Sequence, residues 1–135
     1  MNAMVDKPLF LDTTVLLSGV TASRSASHEE LFEYPVKKYT NEYAVKETRW
    51  VMKEKLHLNY EIINDAVDAI RQNCSVAQTP SKEEMFKINL VDEADVPILC
   101  SAIKLSCILV TRDRGLLNEA KSYIEAKTPE QIIAK

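Results

Sequence analysis

Glycine is nearly missing from this chain: only Gly19 and Gly115 occur in 135 residues. Loops that wrap a nucleotide phosphate in backbone N–H groups need several glycines in register. A Walker loop and a dinucleotide fingerprint are therefore both excluded. Histidine is as scarce, and His28 and His57 offer no paired metal spacing, so both are expected at the surface. Cys74, Cys100 and Cys107 are an odd set, again without metal-site spacing. Cys100 and Cys107 lie in one apolar segment, the pattern of buried free thiols in a reducing compartment. No apolar run approaches the roughly 20 residues that span a membrane. The opening MNAMVDKPLFLD shows no secretory pattern. These absences predict an intracellular, cytoplasmic protein with no membrane segment.

What is present is ordinary for one folded domain over residues 1–135, with 46% hydrophobic and 27% charged residues. The net charge is −3 and the sequence pI about 5.4. Phosphate contacts usually demand a basic face, so the balance argues against nucleic-acid binding by charge alone. It leaves room for clustered carboxylates whose local sign is reversed by bound divalent metal.

Apolar runs bounded by turn residues predict strands at PLFLD, VKKYT, CSVAQT, CILVT and near residues 123–126. The run VLLSGV either continues the first strand or opens a helix, with Gly19 closing the piece. A polar loop over residues 20–30 leads into a short helix through LFEY, which Pro35 ends. Asn41 is a candidate cap for a helix to about His57. Tyr60, Ile63, Val67 and Ile70 predict another to about Asn73. Further helices are expected from Ser81 to about Leu90, from Asp95 and Pro97 to about Leu105, and from Leu116 to about Ser122. RDRG reads as a turn, and TPEQII as a final helical turn. Strands alternating with helices imply an α/β sandwich with a mainly parallel central sheet.

The acids fall in suggestive places. Asp12 follows PLFL, and Asp113 stands just past CILV, so each lies at the carboxyl end of a strand, where α/β sheets form their ligand crevice. The competing role for either is that of a turn aspartate. Glu47 sits on a helical stripe with Ala44, Val51 and Leu58, where a carboxylate is costly unless paired or bound to metal. A second apolar line through Val45, Met52 and Leu56 leaves the inward face open, and Glu54 shares the Glu47 face. Asp95 precedes an apolar helix, where an aspartate often caps free N–H groups. Asp92 and Glu93 compete with it, and the residues alone do not choose.

Together these segments resemble the PIN-domain nucleases almost end to end. LFLDTTVLLSG resembles their opening strand and turn, and YTNEYAVKETRWVMKEKL their strand-plus-helix segment. DEADVPILCSAIKLSCILVTRDRGLL and IEAKTPEQII are similar to the family's closing half. The resemblance implies a three-layer α/β/α sandwich and a catalytic set of Asp12, Glu47, Asp95 and Asp113. It selects Asp95 over Asp92 and Glu47 over Glu54. Thr14 stands where the family often has asparagine, and its hydroxyl is expected to preserve the supporting hydrogen bond; Thr111 is expected to do likewise.

The implied chemistry is Mg²⁺- or Mn²⁺-dependent hydrolysis of RNA, with one or two ions held by the acids. Asp12 and Asp113 are the expected direct ligands, and Glu47 the residue that orients the nucleophile. Arg112, Arg114, Lys46 and Arg49 flank the acids and are expected at the substrate backbone, against the plainer reading of solvated surface charge. The family likeness further implies RNA as substrate, an antitoxin partner and a homodimer. A haloacid-dehalogenase-type phosphatase needs a second aspartate two residues after the first, where Thr14 stands. A receiver domain needs paired acids near the first strand, which are missing. Outside the enzymes, a catalytically idle RNA- or protein-binding module of the same fold is the remaining alternative.

Overall fold

A strand covered on both faces needs apolar residues at every position, and Leu9–Leu11 meets that demand as β1, buried throughout. The computed structural model describes residues 7–134. Residues 1–6, read above for a secretory pattern, lie outside the described residues. Four further strands join β1: β2 (Lys38–Asn41), β3 (Ser75–Ala77), β4 (Ile108–Val110) and β5 (Ala126–Lys127). The sheet is wholly parallel and ordered β3-β2-β1-β4-β5. Helices flank it in the expected three-layer sandwich: α1 (Thr13–Thr21), α2 (Ala26–Phe32), α3 (Glu42–Glu54), α4 (Tyr60–Asn73), α5 (Lys82–Met85), α6 (Val96–Lys104), α7 (Arg114–Ala120) and α8 (Pro129–Ile133). Among the described residues no helix is long and apolar enough to cross a membrane.

The strand order positions the site. From β1 the chain builds outward through β2 and β3, then crosses to the other flank of β1 for β4 and β5. β1 and β4 therefore bracket the point where winding reverses, and a crevice opens there beyond the carboxyl ends of the strands. Leu11 is registered on Val110, and the Asp12 amide donates to the Val110 carbonyl at 3.2 Å. Asp12 is thus held level with the exit of β4.

Most helix starts carry their own cap. Asn41 accepts from the Ala44 amide at 2.9 Å, and Asn59 from Ile62 at 2.9 Å. Ser81 and Thr128 each close a reciprocal capping box. The Asn41 amide also donates to the Pro97 carbonyl at 3.1 Å and to Ser101 Oγ at 2.8 Å. That side chain fixes the start of α6 against the end of β2.

Several expectations are corrected. VLLSGV is helical, and Gly19 lies inside α1 rather than closing it. A Cβ there would stand 2.9 Å from Leu31 Cδ2 and 3.3 Å from the Ser27 carbonyl. The glycine is needed because α1 and α2 pack closely, not because a turn begins. The helix expected from Ser81 to Leu90 shortens to α5, where the apolar residues have no sustained helical period. RDRG is not a free turn: Asp113 caps α7, which begins at Arg114. The last strand starts at Ala126, later than expected. On α3 the buried line is Ala44, Val45, Thr48 and Met52, so Val51 is half-buried and Glu47 sits at the border of the packed face.

Cys74, Cys100 and Cys107 are buried free thiols, and burial pushes Cys74 up to about 12 and Cys107 up to about 11. His57 is exposed, whereas His28 is half-buried, with Nδ1 2.9 Å from the Gly19 carbonyl. The polar 20–30 segment hides a surprise. Glu30, on α2, is fully buried and neither carboxyl oxygen has a hydrogen-bond partner among the described residues. Burial pushes its carboxyl up to about 8, opposed by Lys38 and Arg112 and reinforced by Glu130. It folds in protonated form at neutral pH.

An acid whose folded value is raised contributes stability that is complete below its unfolded value and lost as pH rises through the folded one. Resistance of the wild type to urea should therefore fall between about pH 4.5 and pH 8, with Glu30 contributing up to about 1.4 kcal/mol of that loss per pH unit. Glu30→Gln should remove that share, so the two curves separate as pH rises. Parallel curves across pH 5 to 9 would contradict the burial of this carboxyl.

Candidate active site

The site begins with one buried carboxylate. Asp12 leaves β1 as the N-cap of α1 and is 3% exposed. Its Oδ1 accepts from the Val15 amide at 3.0 Å and from the Thr14 hydroxyl at 2.6 Å. Its Oδ2 accepts from the Thr111 hydroxyl, at the exit of β4. The same threonines serve a second purpose: Thr14 Oγ1 accepts from the Arg112 amide at 2.9 Å, and Thr111 Oγ1 from the Asp113 amide at 3.0 Å. The backbone that carries Asp113 is therefore tied to the groups that hold Asp12.

Asp113 caps α7 through one oxygen, accepting from the Leu116 amide at 3.1 Å, and is solvent-exposed. Two helix N-termini, those of α1 and α7, thus face the same rim with their positive ends. Glu47 reaches in from α3, where Thr13 Oγ1 donates to its Oε1 at 2.6 Å. Thr13 was not singled out in the sequence; a second hydroxyl after a strand-end aspartate was the available signal. Asp95 ends the 3-10 turn Glu93–Asp95 that precedes α6, half-buried and with no side-chain capping bond. Asp92 performs the capping instead, accepting from the Ala94 amide at 3.0 Å. Asp95 occupies the N-cap position of α6, but its carboxyl does not serve as a cap there.

The electrostatics show that these acids share one field. Burial is the main cause that raises Asp95 to about 7, followed by repulsion from Asp92, Asp113, Asp12 and Glu47. Burial likewise raises Asp12 to about 6, against the three donors that favour its charged form, and Asp113 adds to the rise. Tyr43 is raised by burial and by the charges of Glu47, Asp92 and Asp95, which places it beside the cluster; its helical spacing from Glu47 could have indicated this. Such mutual repulsion is relieved by positive charge. All the donors are carboxylate oxygens, the chemistry of hard divalent cations rather than of zinc or copper. Among the described residues no three acidic, histidine or cysteine side chains stand as a closed ligand cluster. A cation held by one or two carboxylates, with water completing its shell, suits that spacing, and Mg²⁺ favours such binding.

The four cations divide. Lys46 and Arg114 are exposed. Arg49 donates to Asn64 Oδ1 at 3.1 Å, joining α3 to α4. Arg112 is committed to the fold: Nε donates to Ser27 Oγ at 2.7 Å and to Ser18 Oγ at 3.2 Å, and Nη1 pairs with Glu130 at 2.8 Å. Its guanidinium stitches α1, α2 and α8 to the loop that carries Asp113.

The sequence matches the family model described as PIN domain over residues 10–131. No curated protein matches the chain. Among solved structures, the chain is similar to PAE2754 of Pyrobaculum aerophilum, with 16% identity and TM-score 0.70, covering 95% of this chain and 88% of that one. It is similar to VapBC2 of Rickettsia felis, solved with a DNA fragment from their promoter, at 15% identity and TM-score 0.67, covering 90% and 98%. It is also similar to VapC20 of Mycobacterium tuberculosis, described as a sarcin-ricin loop cleaving toxin, at 15% identity and TM-score 0.63, covering 87% and 97%. At these identities the likeness shows the fold alone.

Thr111→Val keeps the shape of the side chain but removes the donor to Asp12 Oδ2 and the acceptor for the Asp113 amide. Leaving buried polar groups unpaired costs about 1–3 kcal/mol, so the urea midpoint should fall accordingly, and Thr111→Ser should restore most of it. An unchanged midpoint would show that Asp12 does not depend on this hydroxyl.

Proposed function

The chain belongs to the PIN domain family, and from that membership we propose that it is a Mg²⁺- or Mn²⁺-dependent endoribonuclease acting on single-stranded RNA. The observation that carries this reading is the shared field of Asp12, Glu47, Asp95 and Asp113 at the sheet's topological switch point. Asp12 and Asp113 are the residues that would hold the cation. Bound there, the ion supplies Lewis-acid polarisation of the phosphodiester and neutralises charge developing on its oxygens.

The remaining roles belong to the protein. Thr14, Thr111 and the Val15 amide keep Asp12 in one rotamer and favour its charged form. Thr13 fixes the Glu47 carboxylate, which orients the attacking water and accepts its proton. Asp95 adds negative charge to the rim and would help to hold the cation there. The N-termini of α1 and α7 favour anionic substrate groups at the same edge. Arg114 and Lys46, both exposed, are the cations we assign to the phosphate backbone.

RNA is favoured over DNA by the cleaving activity described for the Mycobacterium tuberculosis relative. We extend the reading to a cytoplasmic toxin of a type II toxin–antitoxin pair, held by an antitoxin and self-paired as a homodimer. The exposed side chains of Trp50, Tyr60, Phe86 and Val91 provide apolar surface for such contacts.

Incubation of single-stranded RNA with the pure protein and Mn²⁺ should give internal cuts that EDTA abolishes. Asp12→Asn and Asp113→Asn should each lower kcat/KM at least about a hundredfold, and Thr14→Ala about ten- to a hundredfold. Cleavage equal in wild type and Asp12→Asn would overturn the proposal. Cation binding without cleavage of any RNA would favour the idle binding module.

A further inference from the structure

Beyond the carboxyl ends of β4 and β5, a cleft of about 430 Å³ opens between α7 and α8, within the usual size of small-ligand sites. It starts at the residues on either side of Asp113, so a strand lying across the acids reaches it directly. Arg112 and Glu130 line it as a pair 2.8 Å apart whose charges cancel. Arg114, also a lining residue, is exposed, and its side chain makes no hydrogen bond or ion pair among the described residues. Leu117 supplies a half-buried apolar wall, and Asn118 a further amide.

Gln131 gives the cleft its chemical character. Its Oε1 accepts from the Thr128 amide at 2.9 Å, while Thr128 Oγ1 accepts from the Gln131 amide at 3.1 Å. This capping box assigns the side-chain amide, because only the oxygen can meet an N–H donor. The NH₂ group, with two donors, is left without a partner among the described residues, and Gln131 is one of the residues that line the cleft. A rigidly held donor pair, a free guanidinium and an apolar wall match one nucleotide: donors to the base edge, Arg114 to its phosphate, Leu117 against the base face.

We propose that this cleft binds the base next to the scissile phosphate of single-stranded RNA and selects guanine or uracil. The proposal rests on the nuclease reading above. Guanine and uracil present carbonyl oxygens to the Gln131 donors. Adenine and cytosine present an amino group at the equivalent edge position, so N–H would meet N–H.

The test uses short single-stranded RNAs that differ in one base on either side of the cut. Wild type should favour guanine or uracil over adenine or cytosine about tenfold in kcat/KM at one flanking position. Gln131→Glu keeps the capping oxygen, since glutamate serves that box as well as glutamine, but replaces the donors by an acceptor. The base ratio should fall to about one or invert, with the thermal midpoint unchanged. Arg114→Gln should raise KM for every RNA alike and leave the ratio intact. Anisotropy of the same RNAs, labelled and bound to Asp12→Asn protein, reads base preference without cleavage. Preference in binding, lost in the Asp12→Asn/Gln131→Glu double variant, keeps the cleft even if wild type cuts nothing, and then only the nuclease reading falls. Cutting or binding without base preference, or a preference that Gln131→Glu leaves unchanged, overturns the cleft.

Discussion

A carboxylate taken out of water at the end of β1 carries a penalty of several kcal/mol unless donors meet it. Here the Val15 amide and the hydroxyls of Thr14 and Thr111 meet it from two directions. Thr14 and Val15 are local, fixed by the first turn of α1. Thr111 is 99 residues away and arrives only because β4 lies beside β1 in register. The Asp12 environment is therefore also a check on topology. If the central strand pair were wrong, that carboxyl would be buried without a partner on Oδ2.

From this one group the rest of the rim is placed. The hydroxyls that donate to Asp12 accept from the Arg112 and Asp113 amides, so the loop bearing Asp113 is built onto the Asp12 shell. Arg112 anchors that loop from the other side through Ser18, Ser27 and Glu130. Asn41 holds the start of α6, and with it Asp95, against β2. The acids repel one another in consequence, and the fold tolerates that repulsion, as sites built for function commonly do. Glu30 is a second buried acid with another origin: it feels the charge of Arg112 but has no hydrogen-bond donor among the described residues.

The strand ends were readable in the sequence because apolar runs followed by aspartate need only local physics. Asn41 was readable as a cap from residue type and spacing, and α4 took the bounds its period implied, though its Asn59 cap was not named in advance. The inward face of α3 was not readable, since two apolar lines compete on one helix and only packing against α1 and α4 decides. Gly19 looked like a helix end because its true constraint, the nearness of Leu31, lies on another helix. Glu30 was hidden in a polar segment because α8, which packs on α2, comes about a hundred positions later, and the role of Arg112 was not readable because Ser18, Ser27 and Glu130 lie on three other helices. Asp95 could be separated from Asp92 only by family likeness, until the structure showed which of them caps.

The central claim is that these carboxylates form a seat for a divalent cation at the switch point. A crystal structure of the Mn²⁺-soaked protein, with data collected at the manganese edge, tests it without reference to any substrate. The account predicts an anomalous peak between Asp12 and Asp113, with carboxylate oxygens about 2.2 Å from it. A peak elsewhere on the molecule, or none at a saturating Mn²⁺ concentration, would contradict it.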